Sequence, residues 1–468
     1  MSSQKLVLPY SVGRAWYATA ALCFLYALSF VDRLIPSLLA APISARLHIT
    51  DGQMGVMFGV GFGVLYTLIG FPLAHLIDNH HRIRIVAAGV LIWSISTIAS
   101  GFATDYWHLV VCRSGVAVGE AVLSPAAVSL IADMFIRQKR TLPMSIYMGL
   151  ASLMTGAYIL GGLAYKVSML YAGRLSMEPW QLTFVIVGLP GVIVALLLLT
   201  TVREPVRVQD RVGKNEYASV SQALRYVSSE KRLYGFLFLG MCVYSTGVFA
   251  IFAWTPTLLV RGYGLTPAQA GYAFGTAGLV AGVIGTIFWP SLMEFFIRRK
   301  RPGMTVVLLA IGMPVAMLGF AYMGVATSVA GVLTGVVIFV LGGTAGAVLY
   351  PVIIQYVAPA RVRGRLMAGN LMASGLVGTI VGPSLSAWIA GHFFSGTMAY
   401  ASTFTVMGLC IAPLALIFLL IARGRFAGAF DEAEERERLA LATITEERAR
   451  EAGALPTPAP AGAFAEGR

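Results

Sequence analysis

The sequence predicts an all-α integral membrane protein with twelve transmembrane helices arranged as two six-helix halves. The composition is the first reason, because 57% of the 468 residues are apolar and only 12% are charged, whereas soluble domains carry about a quarter charged residues. The second reason is that apolar runs of about 20 residues, the length that crosses a bilayer as a helix, recur twelve times. The third is a set of features that repeats on either side of a central polar segment.

The apolar runs and the polar segments between them define the organisation of the chain. We expect an N-terminal segment at 1–13, a first half at 14–201, a linker at 202–232, a second half at 233–425, and a tail at 426–468 that is helical at first and partly disordered beyond. The expected spans, with ends placed to within about three residues, are 15–41, 52–77, 84–102, 106–135, 142–170, 180–201, 233–260, 267–293, 303–324, 328–357, 366–391 and 396–422.

Corresponding features in the two halves indicate an internal duplication. Acidic residues after the second and eighth spans, basic residues after the fourth and tenth, and glycines in the fifth and eleventh recur at offsets of 216, 224 and 221 residues. The pairs are Asp78 and Glu294, Arg137 and Arg361, and Gly161 and Gly382. The alternative is that basic loops, which any protein with many spans carries, produce part of this pattern.

The distribution of basic residues predicts the topology. Of 34 Lys and Arg residues, two lie inside spans, 28 lie on the side that carries both termini, and four lie opposite, namely Arg46, Lys166, Arg174 and Arg261. We call the first side the basic face and the second the far face. Because Lys and Arg accumulate on the cytoplasmic side, the chain is expected to be a multi-pass protein of the inner (plasma) membrane with both termini cytoplasmic.

Charge and motif content exclude several functional classes. The net charge of +13 is explained by topology and by contact with anionic lipid, and no nucleic-acid partner is predicted, because no loop interleaves basic and aromatic residues. The four cysteines lie in separate spans without metal-ligand spacing, so neither a metal site nor a disulfide framework is expected. The chain has no Walker A motif, so no cofactor is predicted and uphill transport would depend on ion gradients.

Four ionisable residues lie well inside the spans, namely Asp32 and Arg33 in the first and Arg113 and Glu120 in the fourth. A charge at the centre of a bilayer costs at least about 2.5–3.5 kcal/mol, so such residues usually face a cavity and mark an ion or substrate path. Arg113 and Glu120 are two helical turns apart and share a face. Asp32 and Arg33 diverge by about 100°, so one is expected to face the cavity and the other a neighbouring helix.

Two acids and two bases permit internal pairing, and this pairing suggests a coupling mechanism. When an acid takes up a proton, its arginine is released to bind a phosphate or carboxylate group. We therefore predict Asp32 and Glu120 as proton-coupling residues, and Arg33, Arg113 and Glu120 as a substrate-binding wall. The alternative is an ion-pair network that only holds helices together.

The second half carries no charged residue in the middle of its spans. Its share of the substrate site is predicted to consist of aromatic and polar residues, and the candidates are Tyr244, Phe249, Phe274, Tyr350 and Asn370. A cavity that is charged on one wall and apolar on the other favours an amphipathic substrate with an anionic head. Ordinary helix packing is the alternative explanation for these aromatic residues.

Glycines cluster in the second span and in the eleventh. Small residues allow helices to approach closely in lipid. Close packing is the simpler interpretation of the two clusters, and a sliding gate between the two helices is the functional one.

Several segments resemble the major facilitator superfamily and, within it, the spinster-like transporters. The resemblance covers about residues 14–425, and its segments are Phe30–Arg33, Asp51–Gly55, Arg113–Pro125, Val202–Pro205 and Arg361–Arg365. Spinster-like proteins in animals are associated with export of lysophospholipids and phosphorylated sphingoid bases. The resemblance implies that Asp32 is the proton-sensitive acid with Arg33 as its neighbour, and that Arg113 and Glu120 form the polar wall.

The resemblance also implies a gate on the cytoplasmic side. The superfamily's loop motif after the second span is represented by Gly70, Asp78 and Arg82, although Asn79 and His81 stand where the motif has an arginine and a glycine. By analogy, Asp78 and Arg82 would help to close that side against the eleventh helix.

The predicted function is therefore secondary transport by alternating access of an amphipathic anion, such as a lysolipid or a sphingoid phosphate, coupled to protons. The expected partners are the lipid bilayer, a small-molecule substrate and protons, and a monomer is expected. One alternative is a transporter of small organic acids or drug-like compounds. A remote alternative is a membrane-embedded enzyme or sensor, for which the spans show no His, Asp and Glu cluster and no Ser and His pair, so no catalytic residue is proposed.

Overall fold

A computed structural model describes residues 11–136, 139–207, 220–299, 301 and 303–451. The start of the predicted N-terminal segment, the middle of the predicted linker, Arg137 and the end of the tail lie outside these residues. Every regular element within the described ranges is a helix, which confirms the all-α prediction.

The first six spans are built from helices that are interrupted at three places. The second span changes from α to π and back, the fourth has a break at its centre, and the fifth has a 3-10 segment. The helices are Val12–Leu38, Ala40–Leu47, Asp51–Val56, Met57–Val64 (π), Leu65–Asn79, Arg82–Ser100, Tyr106–Glu120, Leu123–Met134, Thr141–Gly149, Leu150–Gly156 (3-10), Ala157–Tyr171, Ala172–Leu175 (3-10) and Pro179–Thr201.

The second six spans follow a short helix in the linker and are more regular. The final helix continues well beyond the predicted twelfth span, which agrees with a tail that is helical at first. The helices are Val220–Ser229, Lys231–Gly235 (π), Phe236–Tyr263, Pro267–Arg298, Met304–Val325, Val329–Val357, Ala360–Phe393 and Ala399–Glu451.

The number of spans agrees with the sequence prediction once the bent fifth span is included. Among the described residues, eleven helices are long and apolar enough to cross a membrane, and the pair Thr141–Gly149 and Met154–Leu175 forms a twelfth span with a bend of 53°. The bend lies at a 3-10 segment that follows Gly149, and such segments commonly mark bends in helices. The fifth span, expected at 142–170, is therefore present as a bent span.

Matching helix starts support the duplication of the two halves. Thr50 caps the second span and forms a reciprocal capping box with Gln53, while Thr266 and Gln269 form the same box at the start of the eighth. A capping box satisfies backbone N–H groups that the first turn of a helix leaves without partners. The two boxes lie 216 residues apart, the same offset as Asp78 and Glu294.

The two halves meet closely near the far face. Arg261 of the second half forms an ion pair with Asp51 of the first, with 2.6 Å between Nη1 and Oδ2. The hydroxyl group of Tyr158 donates a hydrogen bond to the carbonyl oxygen of Phe252 across the same interface. These contacts close the far face.

The second and eleventh spans also touch near the far face, where glycines allow the two backbones to approach. A methyl group at Gly55 would come within 2.8 Å of the Pro383 carbonyl oxygen, and one at Gly59 within 2.7 Å of the Thr379 carbonyl oxygen. The predicted glycine clusters do not face each other, however, because Gly378 and Gly382 of the eleventh span pack against the seventh span instead.

The same two spans separate towards the basic face. A methyl group at Gly70, Gly369 or Gly375 would meet no atom within 4 Å. Leu371 of the eleventh span is 64% exposed and Met372 is 44% exposed, although both line the space between the halves. The structure is therefore closed at the far face and open at the basic face.

Candidate substrate site

A cavity of about 530 Å³ lies between the two halves. The first half supplies its wall from the first, second, fourth and fifth spans, with the residues Arg33, Leu34, Pro36, Ser37, Met57, Phe58, Phe62, Gly63, Tyr66, Thr67, Gly70, Arg113, Ala121, Pro125 and Met154. The second half supplies Val248, Phe249, Phe252 and Ala253 from the seventh span, and Leu371, Met372, Gly375, Leu376, Thr379 and Pro383 from the eleventh.

Arg33 projects from the first span into this cavity. Its Nη2 donates a hydrogen bond of 2.7 Å to Glu120 Oε2 and its Nε donates one of 3.3 Å to the same oxygen. The Arg33 side chain is 29% exposed, whereas the Glu120 side chain is 1% exposed. The carboxylate therefore lies behind the guanidinium, which is the group presented to the cavity.

Asp32, the neighbour of Arg33 in sequence, points away from the cavity wall. It is fully buried, and its nearest polar neighbours are Arg113 and Glu120 of the fourth span and Thr97 of the third. Neither carboxylate oxygen of Asp32 makes a hydrogen bond within the described part of the chain. Arg33 therefore lines the cavity while Asp32 does not, as expected for adjacent residues that diverge around a helix.

Arg113 of the fourth span also lines the cavity. It is 3% exposed, and its Nη1 makes no hydrogen bond to any described residue. Its guanidinium carbon lies 5.9 Å from the centre of the Phe62 ring. Asp32, Arg33, Arg113 and Glu120 thus form one buried cluster, in which the ion pair joins Arg33 and Glu120.

The wall contributed by the second half is apolar apart from the hydroxyl group of Thr379. Of the five residues predicted from this half, Phe249 lies on that wall. The cavity consequently has two guanidinium groups on one side and mainly aliphatic and aromatic groups on the other, as the contrast between the two halves had predicted.

The other four predicted residues of the second half are buried outside the cavity wall. Tyr244 packs against the glycines of the tenth span, where Gly343 and Gly346 leave space for its ring. Phe274 contacts Tyr158, with 4.8 Å between ring centres, and belongs to the closed interface near the far face. Tyr350 and Asn370 are 3% and 1% exposed. Helix packing accounts for the positions of Tyr244 and Phe274.

Two residues next to Arg33 were not predicted from the sequence. Phe62 and Tyr66 of the second span place their rings 4.9 Å and 5.0 Å from the Arg33 guanidinium carbon. With Phe58, they recur every four residues and therefore share one face of the helix. That spacing is visible in the sequence, where the glycines of the same span predict close packing or a sliding gate.

The three predicted gating residues have different environments. Gly70 lines the open part of the cavity, and Asp78 is exposed on the basic face. Arg82 is 1% exposed and binds Asp133 at the end of the fourth span and Glu204 at the start of the linker, with N–O distances of 2.5 Å and 2.6 Å. The contacts described for Arg82 thus join the first half to the adjoining start of the linker. Gating by Asp78 and Arg82 stays a prediction for a state in which the basic face is closed.

The described ranges contain no group of three or more His, Cys, Asp or Glu residues arranged as metal ligands. The chemistry that the cavity offers is therefore that of its charged cluster and its apolar wall. Two guanidinium groups bind a phosphate or carboxylate, and the apolar wall binds hydrocarbon.

Comparison with known proteins agrees with this architecture. The model of the Major Facilitator Superfamily matches residues 22–376. An MFS-type efflux pump of Mycolicibacterium smegmatis is 29% identical over 313 residues, or 66% of this chain and 70% of that protein. Protein spinster homolog 3 of Danio rerio is 27% identical over 315 residues, or 64% of this chain and 61% of that protein.

A solved structure has the same fold. The crystal structure of a bacterial homologue of the human lysosomal transporter Spinster, in an inward-facing and unoccupied conformation, matches with a TM-score of 0.75. The two sequences are 24% identical, and the match covers 91% of this chain and 98% of that one. The chain therefore belongs to the Major Facilitator Superfamily of membrane transporters and, within it, resembles the spinster proteins.

Proposed function

We propose that this protein is a secondary transporter that moves an amphipathic anion, such as a lysolipid or a sphingoid phosphate, by alternating access. The observation that carries the proposal is the division of the cavity wall. Arg33 and Arg113 present two guanidinium groups on one side, and Phe249, Phe252 and Leu376 present apolar groups on the other.

The charge balance at the cavity supports an anionic head group. Arg33 has a carboxylate partner in Glu120, but the Nη1 of Arg113 has no hydrogen-bond partner among the described residues. A buried donor without a partner is costly, and a phosphate or carboxylate at Arg113 would supply the missing acceptors. The oxygens of a neutral head group could also accept a hydrogen bond, but only an anion would add a charge-assisted contact.

The apolar wall supports a hydrocarbon tail. Each methylene group that leaves water for an apolar surface gains about 0.8 kcal/mol, so a long chain adds substantial affinity without any specific polar contact. The cavity also opens towards the basic face beside Leu371 and Met372, where both side chains are exposed. A chain that extends beyond the cavity would meet apolar groups there.

The position of Asp32 supports proton coupling. Its carboxylate is buried beside Arg113 and Glu120, so its protonation changes the charge felt by the arginine that binds the head group. Protonation of Asp32 would then remove a nearby negative charge and strengthen the attraction of Arg113 for an anionic head group. Glu120 is proposed as the second coupling acid, because it forms a direct ion pair with Arg33.

The distribution of charge supports an orientation in the membrane. We place the basic face in the cytoplasm of the plasma membrane, so that the cavity is accessible from the cytoplasm in this structure. The transporter is proposed to act as a monomer.

Binding to protein in lipid nanodiscs tests the proposed substrate class. Lysophosphatidic acid and a monoacylglycerol with the same acyl chain differ by the phosphate group. Wild-type protein is expected to bind lysophosphatidic acid at least about tenfold more tightly than the monoacylglycerol, because a charge-assisted contact contributes about 1.5–3 kcal/mol. Arg113→Gln is expected to remove most of this difference, whereas Arg84→Gln, on an exposed helix face, is expected to preserve it. Equal affinity of wild-type protein for the two ligands would contradict the proposal.

One relative supports a second candidate function. The protein of Mycolicibacterium smegmatis is named an efflux pump, so transport of a drug-like amphipath is the alternative. With two guanidinium groups in the wall, such a substrate is expected to be anionic or neutral, because a cation would meet like charge. Displacement of bound lysophosphatidic acid by short carboxylates or by uncharged drug-like compounds separates these alternatives.

A further inference from the structure

The aromatic residues of the second span surround the guanidinium of Arg33. The rings of Phe62 and Tyr66 are stacked, with centres 5.6 Å apart and planes inclined by 17°. The Arg33 guanidinium carbon lies 4.9 Å from one ring centre and 5.0 Å from the other. The face of an aromatic ring attracts a cation within about 6 Å of its centre, so both rings are close enough to hold this charge.

We propose that Phe62 and Tyr66 are positioning residues that hold the Arg33 guanidinium by their ring faces and thereby determine the selectivity of the cavity for anions. The proposal rests on the proposed function, since it concerns how the head-group site is built. It assigns to two residues of the second span a role that neither the charged cluster nor the apolar wall explains.

Ring faces and carboxylates differ in the net charge that they place beside Arg33. A guanidinium in a cavity must be held in one orientation if it is to bind a phosphate or carboxylate with both of its donor edges. A second carboxylate beside Arg33 would hold it but would cancel the positive charge that attracts the substrate. Ring faces hold a cation without adding a negative charge. Glu120 and the two rings together therefore fix Arg33 while the cluster keeps two cations at the cavity wall.

Phe62 is the more informative of the two residues because both arginines approach it. Its ring centre is 4.9 Å from the guanidinium carbon of Arg33 and 5.9 Å from that of Arg113. The ring is largely buried, with 7% of the residue exposed. A single ring thus lies within about 6 Å of both cations.

The backbone of the second span fixes the position of the rings. Phe62 lies in the π-helical segment Met57–Val64, and Tyr66 lies in the α-helical turn that follows it. The adjacent face of this segment rests on the eleventh span, where a methyl group at Gly59 would come within 2.7 Å of the Thr379 carbonyl oxygen and one at Gly63 within 2.7 Å of Thr379 Cγ2. With the helix held on one side, the rings have little freedom to leave Arg33.

The first experiment measures Arg33 itself and needs no substrate. Ligand-free protein in nanodiscs is treated with phenylglyoxal, and modification of Arg33 is followed by mass spectrometry. Phe62→Leu and Tyr66→Leu are expected to increase the rate several-fold, while Phe62→Tyr, which keeps the ring, is expected to preserve the wild-type rate. Wild-type rates in both leucine variants would overturn the proposal.

The second experiment measures anion selectivity as the ratio of affinities for lysophosphatidic acid and the matching monoacylglycerol. Phe62→Leu is expected to reduce this ratio about three- to tenfold, the range that cation–π contacts support. Phe58 provides the matched control, because its ring lies one turn away in the same cavity and contacts Trp254, with 5.6 Å between ring centres. Phe58→Leu is expected to weaken both ligands equally and to leave the ratio unchanged.

Replacement of Phe62 by phenylalanine analogues with fluorine atoms on the ring separates the electrostatic effect of the ring face from the effect of ring shape. Each added fluorine withdraws electrons from the ring face while the ring keeps nearly the same size, so the selectivity ratio is expected to fall progressively from one to three fluorines. A ratio that does not change along the series would overturn the proposal. If wild-type protein binds lysophosphatidic acid and the matching monoacylglycerol equally well, the proposed function fails. The phenylglyoxal rates then still test whether the two rings hold Arg33.

Discussion

Asp32 illustrates how one buried side chain carries information about transport. It is fully buried in the first span, yet its carboxylate oxygens make no hydrogen bond within the described residues. A purely structural acid at such a position is normally paired and hydrogen-bonded. An acid that instead lies beside Arg113 and Glu120 without a hydrogen bond has the environment expected of a group that gains and loses a proton during a cycle.

Asp32→Asn is expected to transport substrate at a rate that depends much less on pH than the wild-type rate, because asparagine fills the same volume but does not titrate. The measurement is uptake of labelled lysophosphatidic acid into proteoliposomes across a pH series. Asp105→Asn is the control, since Asp105 is an exposed helix cap and asparagine caps a helix equally well. A pH profile identical to that of wild-type protein would remove Asp32 from the coupling mechanism.

The same substitution also has an expected effect on stability. Removing a buried carboxylate without hydrogen bonds is expected to leave the melting temperature unchanged or to raise it, because the cost of burying that charge disappears. Thermal unfolding in detergent checks this. A clear loss of stability in Asp32→Asn would indicate that Asp32 acts as a structural partner of Arg113.

At the scale of helices, Arg82 connects three segments at the basic face. It begins the third span and reaches Asp133 at the end of the fourth and Glu204 after the sixth. It also donates hydrogen bonds to Ser129, at 2.8 Å, and to the carbonyl oxygen of Pro205, at 3.1 Å. This arrangement indicates that Arg82 holds the ends of these spans together in the open state.

Arg82→Gln is therefore expected to destabilise the protein by about 3–5 kcal/mol, since it removes the cation from a buried pair and leaves the carboxylates uncompensated. Arg84→Gln lies two residues later on the exposed face of the same helix and is expected to change stability by no more than about 0.5 kcal/mol. Chemical denaturation of both variants in the same detergent provides the comparison. Similar stabilities for the two would show that the buried contacts contribute little.

The elements differ in how far the sequence predicts them. Long apolar runs locate the spans because hydrocarbon requires continuous helices. The bend in the fifth span and the π-helical segment of the second were not predicted, since both interrupt a helix without a proline at the interruption. Their positions depend on neighbouring spans, such as the contact of Gly63 with Thr379, which no local pattern contains.

The sequence also predicts only part of the candidate site. Asp32, Arg33, Arg113 and Glu120 were identified because charge is rare in hydrocarbon, and the structure brings them together. Aromatic residues carry no such signal, because they are common in packed interiors and in lipid-facing surfaces. This is why Tyr244 and Tyr350 were proposed from the sequence, whereas Phe62 and Tyr66 were missed. Only the three-dimensional position relative to Arg33 distinguishes the two groups.

At the scale of the whole molecule, the ion pair of Asp51 and Arg261 is a contact between halves that alternating access must break. The two side chains are 28% and 30% exposed, so the pair itself contributes modestly to stability. Its importance lies in its position, because it joins the start of the second span to the end of the seventh at the closed far face.

Arg261→Ala is expected to increase access to the cavity from the far face. A cysteine introduced as Thr67→Cys, in a background without the four native cysteines, lies in the cavity wall and reports this access by reaction with a membrane-impermeant maleimide added to intact cells. Labelling is expected to rise several-fold. Arg46→Ala is the control, because Arg46 pairs with Glu178 on the same face but within the first half. Equal labelling in both variants would show that the pair does not hold the halves together.

The last helix continues well beyond the twelfth span. It runs without interruption from Ala399 to Glu451, and its part beyond Phe426 is about 38 Å long at 1.5 Å per residue. Arg425 pairs with Glu230, and Arg436 donates to the carbonyl oxygen of Val357, so this rod is fastened to the half that it leaves. A modest tilt of that half would therefore displace the C-terminal end of this helix by a larger distance than it displaces the spans. A fluorophore attached at that end would report the tilt during each transport cycle.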